Sequence, residues 1–140
     1  MNSFHFYYPL QVRYGDLDAQ WHVNNAYFLV FLEQTRFPYL VDLGLFDGKS
    51  FFDVGLIVVD AHIAYTAPID LLKKIRNGCR VSRIGNKSMV FEYQIEEEGS
   101  GKVLCSAETV MVAYDYRAHE SKPVPADWRE KISNYEGVKF

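Results

Sequence analysis

The apolar run AYFLVFLEQTRFPYLVDLGLF, which follows two asparagines, constrains the fold more than any other part of the chain. Its first two turns are apolar on nearly every side, the pattern of a helix enclosed by other elements. Asn24 or Asn25 is a suitable N-cap, and Gly44 is a suitable stop. Pro38 lies inside the run, so we expect the helix to kink or break near Phe37.

Four segments after this helix have the composition of β-strands. In SMVFEYQIEE the apolar residues alternate with Glu and Gln, which predicts a strand with one buried face. Glycine-containing pairs and triplets separate the later segments and indicate hairpin turns at residues 85–86 and 99–101. The predicted strands are Leu56–Tyr65, Gly78–Ile84, Ser88–Glu97 and Lys102–Tyr116.

The order of the elements predicts one sheet wrapped around one helix. An opening strand is expected within residues 5–14, and a polar tail from about residue 117 should form a short helix beginning near Pro125. Enclosure by a sheet is the compact way to bury an apolar helix. We therefore predict an α+β fold, a curved antiparallel sheet of about five strands around a long central helix, in one domain over residues 1–140.

Composition excludes several classes of protein. The formal net charge of −3 argues against a nucleic-acid groove, which needs clustered Lys and Arg. Cys79 and Cys105 have neither the spacing of a zinc site nor that of a disulfide framework, so both are expected in the core. We find no apolar run long enough for a membrane span and no signal-peptide pattern, which predicts a soluble, cytoplasmic protein.

A cluster of polar residues stands directly before the helix. The stretch VRYGDLDAQWHVNNAYFLVFLEQTR resembles the start of hotdog-fold thioesterases of the 4-hydroxybenzoyl-CoA thioesterase type. Its Asp-x-x-x-His-Val-Asn-Asn part also resembles a segment of acyl-ACP thioesterases and of bacterial long-chain acyl-CoA thioesterases. Further on, IAYTAPI resembles the Tyr-x-x-Pro turn of the family. The likeness extends from about Val12 to Tyr114 and implies the hotdog fold and thioester hydrolysis.

The resemblance implies a catalytic carboxylate at Asp18. Thioester hydrolysis requires a nucleophile or a base for water, and a group that stabilises negative charge on the carbonyl oxygen. The resemblance places the unpaired backbone N–H groups of the first helical turn, Val23, Asn24 and Asn25, opposite that oxygen. Attack by the carboxylate and activation of water by it need the same side chain, so both routes stay open.

The neighbours of Asp18 admit more than one role. His22 could position water or hold Asp18 by a hydrogen bond, and a purely structural role is equally open. Gln20, a further candidate catalytic residue, stands where the acyl-ACP type commonly has Asn and offers the same amide on a longer side chain. Asp16, in a Gly-Asp pair, is interpreted as a turn acid. A divalent metal held by Asp16, Asp18 and His22 is not favoured, because no further ligand is defined, and no cofactor is expected.

The chain has one concentration of basic residues, in the segment after Tyr65. Such groups could bind the nucleotide phosphates of coenzyme A, or they could simply keep strand edges soluble. His62 is predicted at mid-strand on the same face as Val58 and Asp60, as a buried or half-buried histidine. The candidate substrate contacts are Arg76, Arg80, Arg83, Lys87 and Tyr65.

Three functions are compatible with the fold that the resemblance implies. The leading hypothesis is hydrolysis of acyl-CoA or acyl-ACP without metal or organic cofactor. A hotdog dehydratase or hydratase and a non-catalytic acyl-binding module are the alternatives, since a fold does not fix a function. One sheet of about five strands leaves an edge uncovered, so we expect a homodimer or homotetramer in which a strand such as Val58–Tyr65 approaches the partner's site.

Overall fold

A computed structural model describes residues 4–140 of the chain. The sheet is antiparallel throughout, its strands lie in the order β1-β3-β4-β5-β2, and β6 pairs with the end of β5. The predicted α+β fold with one long helix is confirmed. The elements are β1 Phe6–Leu10, a 3-10 turn Tyr14–Asp16, α1 Asn25–Asp42, β2 Leu56–Tyr65, β3 Ile75–Ile84, β4 Ser88–Glu97, β5 Val103–Asp115, β6 Glu120–Ser121 and α2 Ala126–Glu136.

Helix α1 is continuous through Pro38, so the break expected near Phe37 does not occur. Proline removes one N–H, whose acceptor in a regular helix would be the carbonyl of Gln34. Gln34 lies on the exposed side of α1, where water can satisfy that carbonyl. The helix ends one turn later, and Gly44 follows in a left-handed conformation with φ +76°.

Helix α1 is buried on most of its circumference but not on all of it. Phe28, Phe31 and Tyr39 belong to the core that α1 forms with the inward-facing side chains of the sheet. Leu29 and Val41, however, are 47% and 50% exposed. Helix α1 lies closest to β1 and β3, which leaves the side towards β2 open. The expectation of a helix enclosed on every side was therefore too strong.

Strand β3 begins at Ile75, three residues before the predicted start. The additional residues at the start of β3 include Asn77, a polar residue that is fully buried in the sheet. Its amide Nδ2 donates to the hydroxyl of Thr35 on α1 at 2.9 Å, and that hydroxyl donates to the carbonyl of Phe31 at 2.9 Å. A buried polar group needs such a partner, and the pairing fixes α1 against β3.

Strand β2 forms one edge of the sheet and contains a β-bulge between Val58 and Asp60. Because a bulge adds one residue, it reverses which face the following side chains occupy. Val58 pairs with buried Met111 on the side of α1, whereas His62 pairs with exposed Glu108 on the opposite, convex side. The prediction that His62 shares a face with Val58 and is at least half-buried is wrong.

The remaining boundaries follow the turn residues. Strands β2 and β4 have the predicted limits, and α2 starts directly after Pro125, as expected. Trp128 and Ile132 of α2 are buried against the core, and the hydroxyl of Tyr39 donates to Glu136 at the helix end. Across residues 4–140, no helix is both long and apolar enough to cross a lipid bilayer.

Candidate active site

The buried carboxylate of Asp16 fixes the chain on both sides of the site. It is 0% exposed and accepts hydrogen bonds from the backbone N–H of Arg13 and from the Arg13 guanidinium, each at 2.9 Å. Its backbone carbonyl accepts the N–H of Asn24 at 2.8 Å. The hydrogen bond to Asp16 raises the pKa of the Arg13 guanidinium. Asp16 is thus a structural acid that connects the end of β1 to the start of α1, a wider role than the turn acid interpreted from the sequence.

Residues 18–22 form a tight loop closed at its base. Leu17 and Val23 make an antiparallel bridge, and the N–H of Asp18 donates to the carbonyl of His22 at 2.9 Å. Trp21 has φ +64°, a left-handed conformation that an L-residue rarely adopts, and its N–H closes the turn onto the carbonyl of Asp18 at 3.1 Å. The loop geometry is therefore determined by backbone bonds.

An open cavity of about 470 Å³ lies between this loop, the start of α1 and the end of β2. Every second residue of the loop, beginning with Asp18, contributes to its wall. Five of the residues that the sequence proposed for catalysis and for the oxyanion site therefore face one space, together with one predicted substrate contact. The lining residues are Asp18, Gln20, His22, Val23, Asn25, Phe28, Tyr65, Thr66, Ala67 and Pro68.

The carboxylate of Asp18 is held by its own loop. Its Oδ1 accepts the N–H of Gln20 at 2.8 Å, the geometry of an Asx turn. Within residues 4–140, its Oδ2 accepts no hydrogen bond, and the ring of His22 makes none to Asp18. One carboxylate oxygen therefore orients the side chain while the other is left for a water molecule or a substrate carbon.

The start of α1 offers one backbone donor to the cavity. The N–H of Val23 donates to the carbonyl of Ile69, and that of Asn24 to the carbonyl of Asp16, both at 2.8 Å. In the described part of the chain, the N–H of Asn25 has no acceptor. Of the three backbone donors predicted for the thioester oxygen, only that of Asn25 is unoccupied. The positive end of the helix dipole adds to its effect.

Tyr65 connects β2 to the start of α1. Its hydroxyl donates to the carbonyl of Asn25 at 3.1 Å, and its ring stands nearly perpendicular to that of Phe28, with centroids 4.9 Å apart. Partial burial raises the pKa of the Tyr65 phenol, which keeps the hydroxyl protonated and able to donate. Tyr65 therefore supports the residue that carries the free N–H.

The four predicted basic contacts do not line this cavity in the described chain. Arg76 and Arg80 lie on the convex face, paired with Glu96 at 2.6 Å and Glu92 at 2.5 Å. Arg83 lies near the opposite end of β3, and Lys87 lies just beyond it, about 30 Å from the start of the strand at the rise of an extended chain. Sequence spacing alone could not show which end of β3 lies near the site.

The structure also bears on a cysteine nucleophile and on a metal site. Cys79 and Cys105 are buried, as predicted, and burial raises the pKa of Cys105 to about 12 and that of Cys79 well above its ordinary value. Both thiols therefore stay protonated at neutral pH and are poor nucleophiles. Among residues 4–140, no three His, Cys, Asp or Glu side chains are grouped so that they could hold a metal ion.

Comparisons with known proteins identify the family and the fold of the chain. Residues 12–132 match the model of the thioesterase-like superfamily. The chain is 28% identical over 123 residues to the long-chain acyl-CoA thioesterase FadM of Escherichia coli, covering 88% of this chain and 93% of that protein. A thioesterase of Thermus thermophilus, solved with coenzyme A and zinc, superposes with a TM-score of 0.86 at 26% identity over 100% of both chains. The probable thioesterase YbaW of Escherichia coli gives 0.77 at 28% identity, covering 96% and 100%.

The chain belongs to the thioesterase-like superfamily, because the family model covers most of its length. The predicted hotdog fold is confirmed by the superposed thioesterase structures. The activity of the chain is thioester hydrolysis, which the relatives share. The hydratase and binding-module alternatives have no comparable support.

Asp16→Asn tests the structural role of the buried acid. The substitution keeps the shape but removes the charge that Arg13 binds, so we expect a loss of about 2–3 kcal/mol in the free energy of unfolding. Denaturant unfolding measures it. Asp53→Asn is the matched control, since its pair with Arg117 at 3.4 Å is exposed and should contribute nothing measurable. Equal effects of the two substitutions would contradict the role of Asp16.

Proposed function

We propose that the chain hydrolyses acyl-CoA at the cavity that contains Asp18 and the start of α1. The observation that carries this proposal is that two residues lining one cavity each carry an unoccupied group. One is the free Oδ2 of Asp18, and the other is the free N–H of Asn25. A carboxylate and a preorganised donor are the two groups that thioester hydrolysis requires.

The mechanism follows from the positions of these groups. The thioester oxygen accepts the N–H of Asn25, and negative charge on that oxygen is stabilised as the carbonyl carbon becomes tetrahedral. The Asp18 carboxylate either attacks this carbon, giving an anhydride that water then hydrolyses, or removes a proton from the attacking water. In both routes the C–S bond breaks, and the thiolate leaves and takes up a proton. Gln20 and His22 stand where they can position the water.

The acyl group would occupy the space between α1 and the inward-facing residues of β2, which we call the α1–β2 groove. On β2 its wall runs from Tyr65 through Ile63 and Ala61 to Val58, because these residues pair with the α1-facing residues of β5. Beyond it lies a second cavity of about 490 Å³ with mainly apolar walls. Its lining residues are Glu33, Arg36, Phe37, Leu40, Phe51, Val54, Leu56, Val58, Met111 and Tyr116.

The carrier half of the substrate would lie outside the first cavity, beyond the loop that follows β2. This loop contributes Thr66, Ala67 and Pro68 to the cavity wall and continues to Lys73 and Lys74. These two cations can attract the phosphates of coenzyme A. An acyl-CoA substrate is consistent with the names of the relatives and with the predicted cytoplasmic location, and acyl-ACP is the alternative carrier.

Asp18→Asn should lower the rate of thiol release from acyl-CoA by about 10³-fold or more, because it removes the charge while keeping the size. A thiol-detecting assay on acyl-CoA and acyl-ACP measures the loss and identifies the carrier. Asp47→Asn is a matched control, since the Oδ1 of Asp47 accepts the N–H of Lys49 in the same kind of turn, away from the site. Near-normal turnover by folded Asp18→Asn would refute the assignment.

We also propose that two chains pair through β2. This edge strand carries Val58 and Val59, which are 43% and 58% exposed, and its outer backbone groups have no strand beside them in the described chain. An exposed apolar edge favours pairing with a second copy, which would also close the α1–β2 groove. A homodimer or homotetramer would result.

Sedimentation velocity tests this pairing. Wild type should sediment as a dimer or larger assembly, and Val59→Glu should give monomers because a charge on an edge opposes pairing. Val41→Glu is the control, because Val41 is similarly exposed, at 50%, but lies on α1. A monomeric wild type, or equal dissociation by both variants, would contradict the proposal.

A further inference from the structure

Arg36 is a buried cation without an anionic partner. Its side chain is only 7% exposed and lines the second cavity at the far end of the α1–β2 groove. Its Nη1 donates to the hydroxyl of Tyr93 at 3.1 Å. In the described chain, Arg36 makes no other hydrogen bond and no ion pair within 4.0 Å. Most of its donors therefore have no partner among the described residues, although the side chain is largely buried.

A buried guanidinium with one hydrogen bond and no ion pair lowers the stability of the fold, because charges in protein interiors are normally paired and hydrogen-bonded. The acid nearest in sequence on the same helix face, Glu33, also lines the cavity but is exposed and forms no ion pair with Arg36. Solvent weakens the field of an exposed carboxylate more than that of a buried cation. We therefore expect the interior end of the cavity to be electropositive.

One end of the Arg36 guanidinium is held by a buried partner. Tyr93, which accepts its hydrogen bond, is 2% exposed and contacts the hydroxyl of Thr109 at 3.2 Å. Burial raises the pKa of the Tyr93 phenol, so it stays neutral and compensates none of the positive charge. A fixed guanidinium with free donors is suited to a carboxylate, whose two oxygens match its geometry.

The distance between Asn25, at the reacting end of the site, and Arg36 is compatible with the length of an acyl group. Arg36 follows Asn25 by 11 residues, three helical turns, so both residues lie on the side of α1 that borders the groove. At the rise of an α-helix this separation is about 16 Å, and an arginine side chain that leans towards the helix start shortens it. The groove thus leads from the free N–H of Asn25 to the guanidinium.

We infer that the enzyme prefers acyl groups that end in a carboxylate, which binds Arg36 while the thioester lies at Asp18 and Asn25. This inference rests on the proposed function and adds a substrate class to it. The apolar walls contact the methylene groups of the chain, and Arg36 recognises its charged end. A site built to bind a polar group discriminates strongly against an analogue that lacks it, because the buried partner is then left unpaired.

The experiment compares acyl-CoAs of graded length in three forms, with a methyl, a hydroxyl or a carboxylate at the far end. Wild type should show kcat/KM at least about tenfold higher for the carboxylate form than for the methyl form at the length that reaches Arg36. Arg36→Met should remove this preference by raising KM for the carboxylate form and should leave the methyl form unchanged or improved.

Two controls separate recognition from general damage. Arg36→Lys should keep part of the preference, since the positive charge remains. Arg80→Met removes another partly buried arginine, one paired with Glu92 on the convex face, and should leave the preference intact. Binding of the three forms to the Asp18→Asn protein, measured by calorimetry, gives the same comparison without turnover.

The outcomes are distinct. If wild type releases thiol equally from methyl and carboxylate forms, or prefers the hydroxyl form, the inference is wrong while the proposed function stands. An equal loss of activity on all forms in Arg36→Met would also refute it. If no acyl-CoA is hydrolysed, the proposed function fails, and the calorimetric comparison still decides whether the far end of the groove selects a carboxylate.

Discussion

The burial of α1 against the sheet determines where every other element of the fold lies. The helix carries the large side chains Phe31, Leu32 and Tyr39, which are almost fully buried, and only a curved sheet can cover them in so short a chain. Its start, by contrast, is held by polar contacts, above all the buried carboxylate of Asp16. The apolar middle supplies stability, and the polar start keeps one N–H free for chemistry.

Local patterns predicted those parts of the fold that local forces determine. The alternation in β4, the apolar run of α1 and the position of Pro125 gave elements close to those observed. The errors lie where contacts between residues distant in sequence determine the structure. The amide Nδ2 of Asn77 in β3 donates to Thr35 on α1, and the bulge that turns His62 outwards depends on pairing with β5. Neither contact is visible in a single stretch of sequence.

In the candidate site, too, the sequence predicted what local motifs determine and missed what long-range contacts determine. The motif before α1 and the Tyr-x-x-Pro turn identified Asp18, Asn25 and Tyr65, which the fold brings to one cavity. Which backbone donor is free could not be predicted, since Ile69 and Asp16 take the other two through long-range bonds. The predicted basic contacts lie away from this cavity, and charge patterning does not reveal which end of a strand meets a site. Arg36 had one visible signal, a cation within an apolar helical run.

The claim that the start of α1 stabilises the reacting oxygen is tested most directly by Asn25→Pro. Proline is favoured at the first helical position, and the backbone of Asn24, with φ −56° and ψ 134°, suits the residue before a proline. The substitution therefore removes the N–H while leaving the helix in place. We predict that kcat falls by about 10²–10³-fold with unchanged stability, whereas Asn25→Ala, which keeps the N–H, retains activity. A folded Asn25→Pro protein with normal kcat would contradict the account.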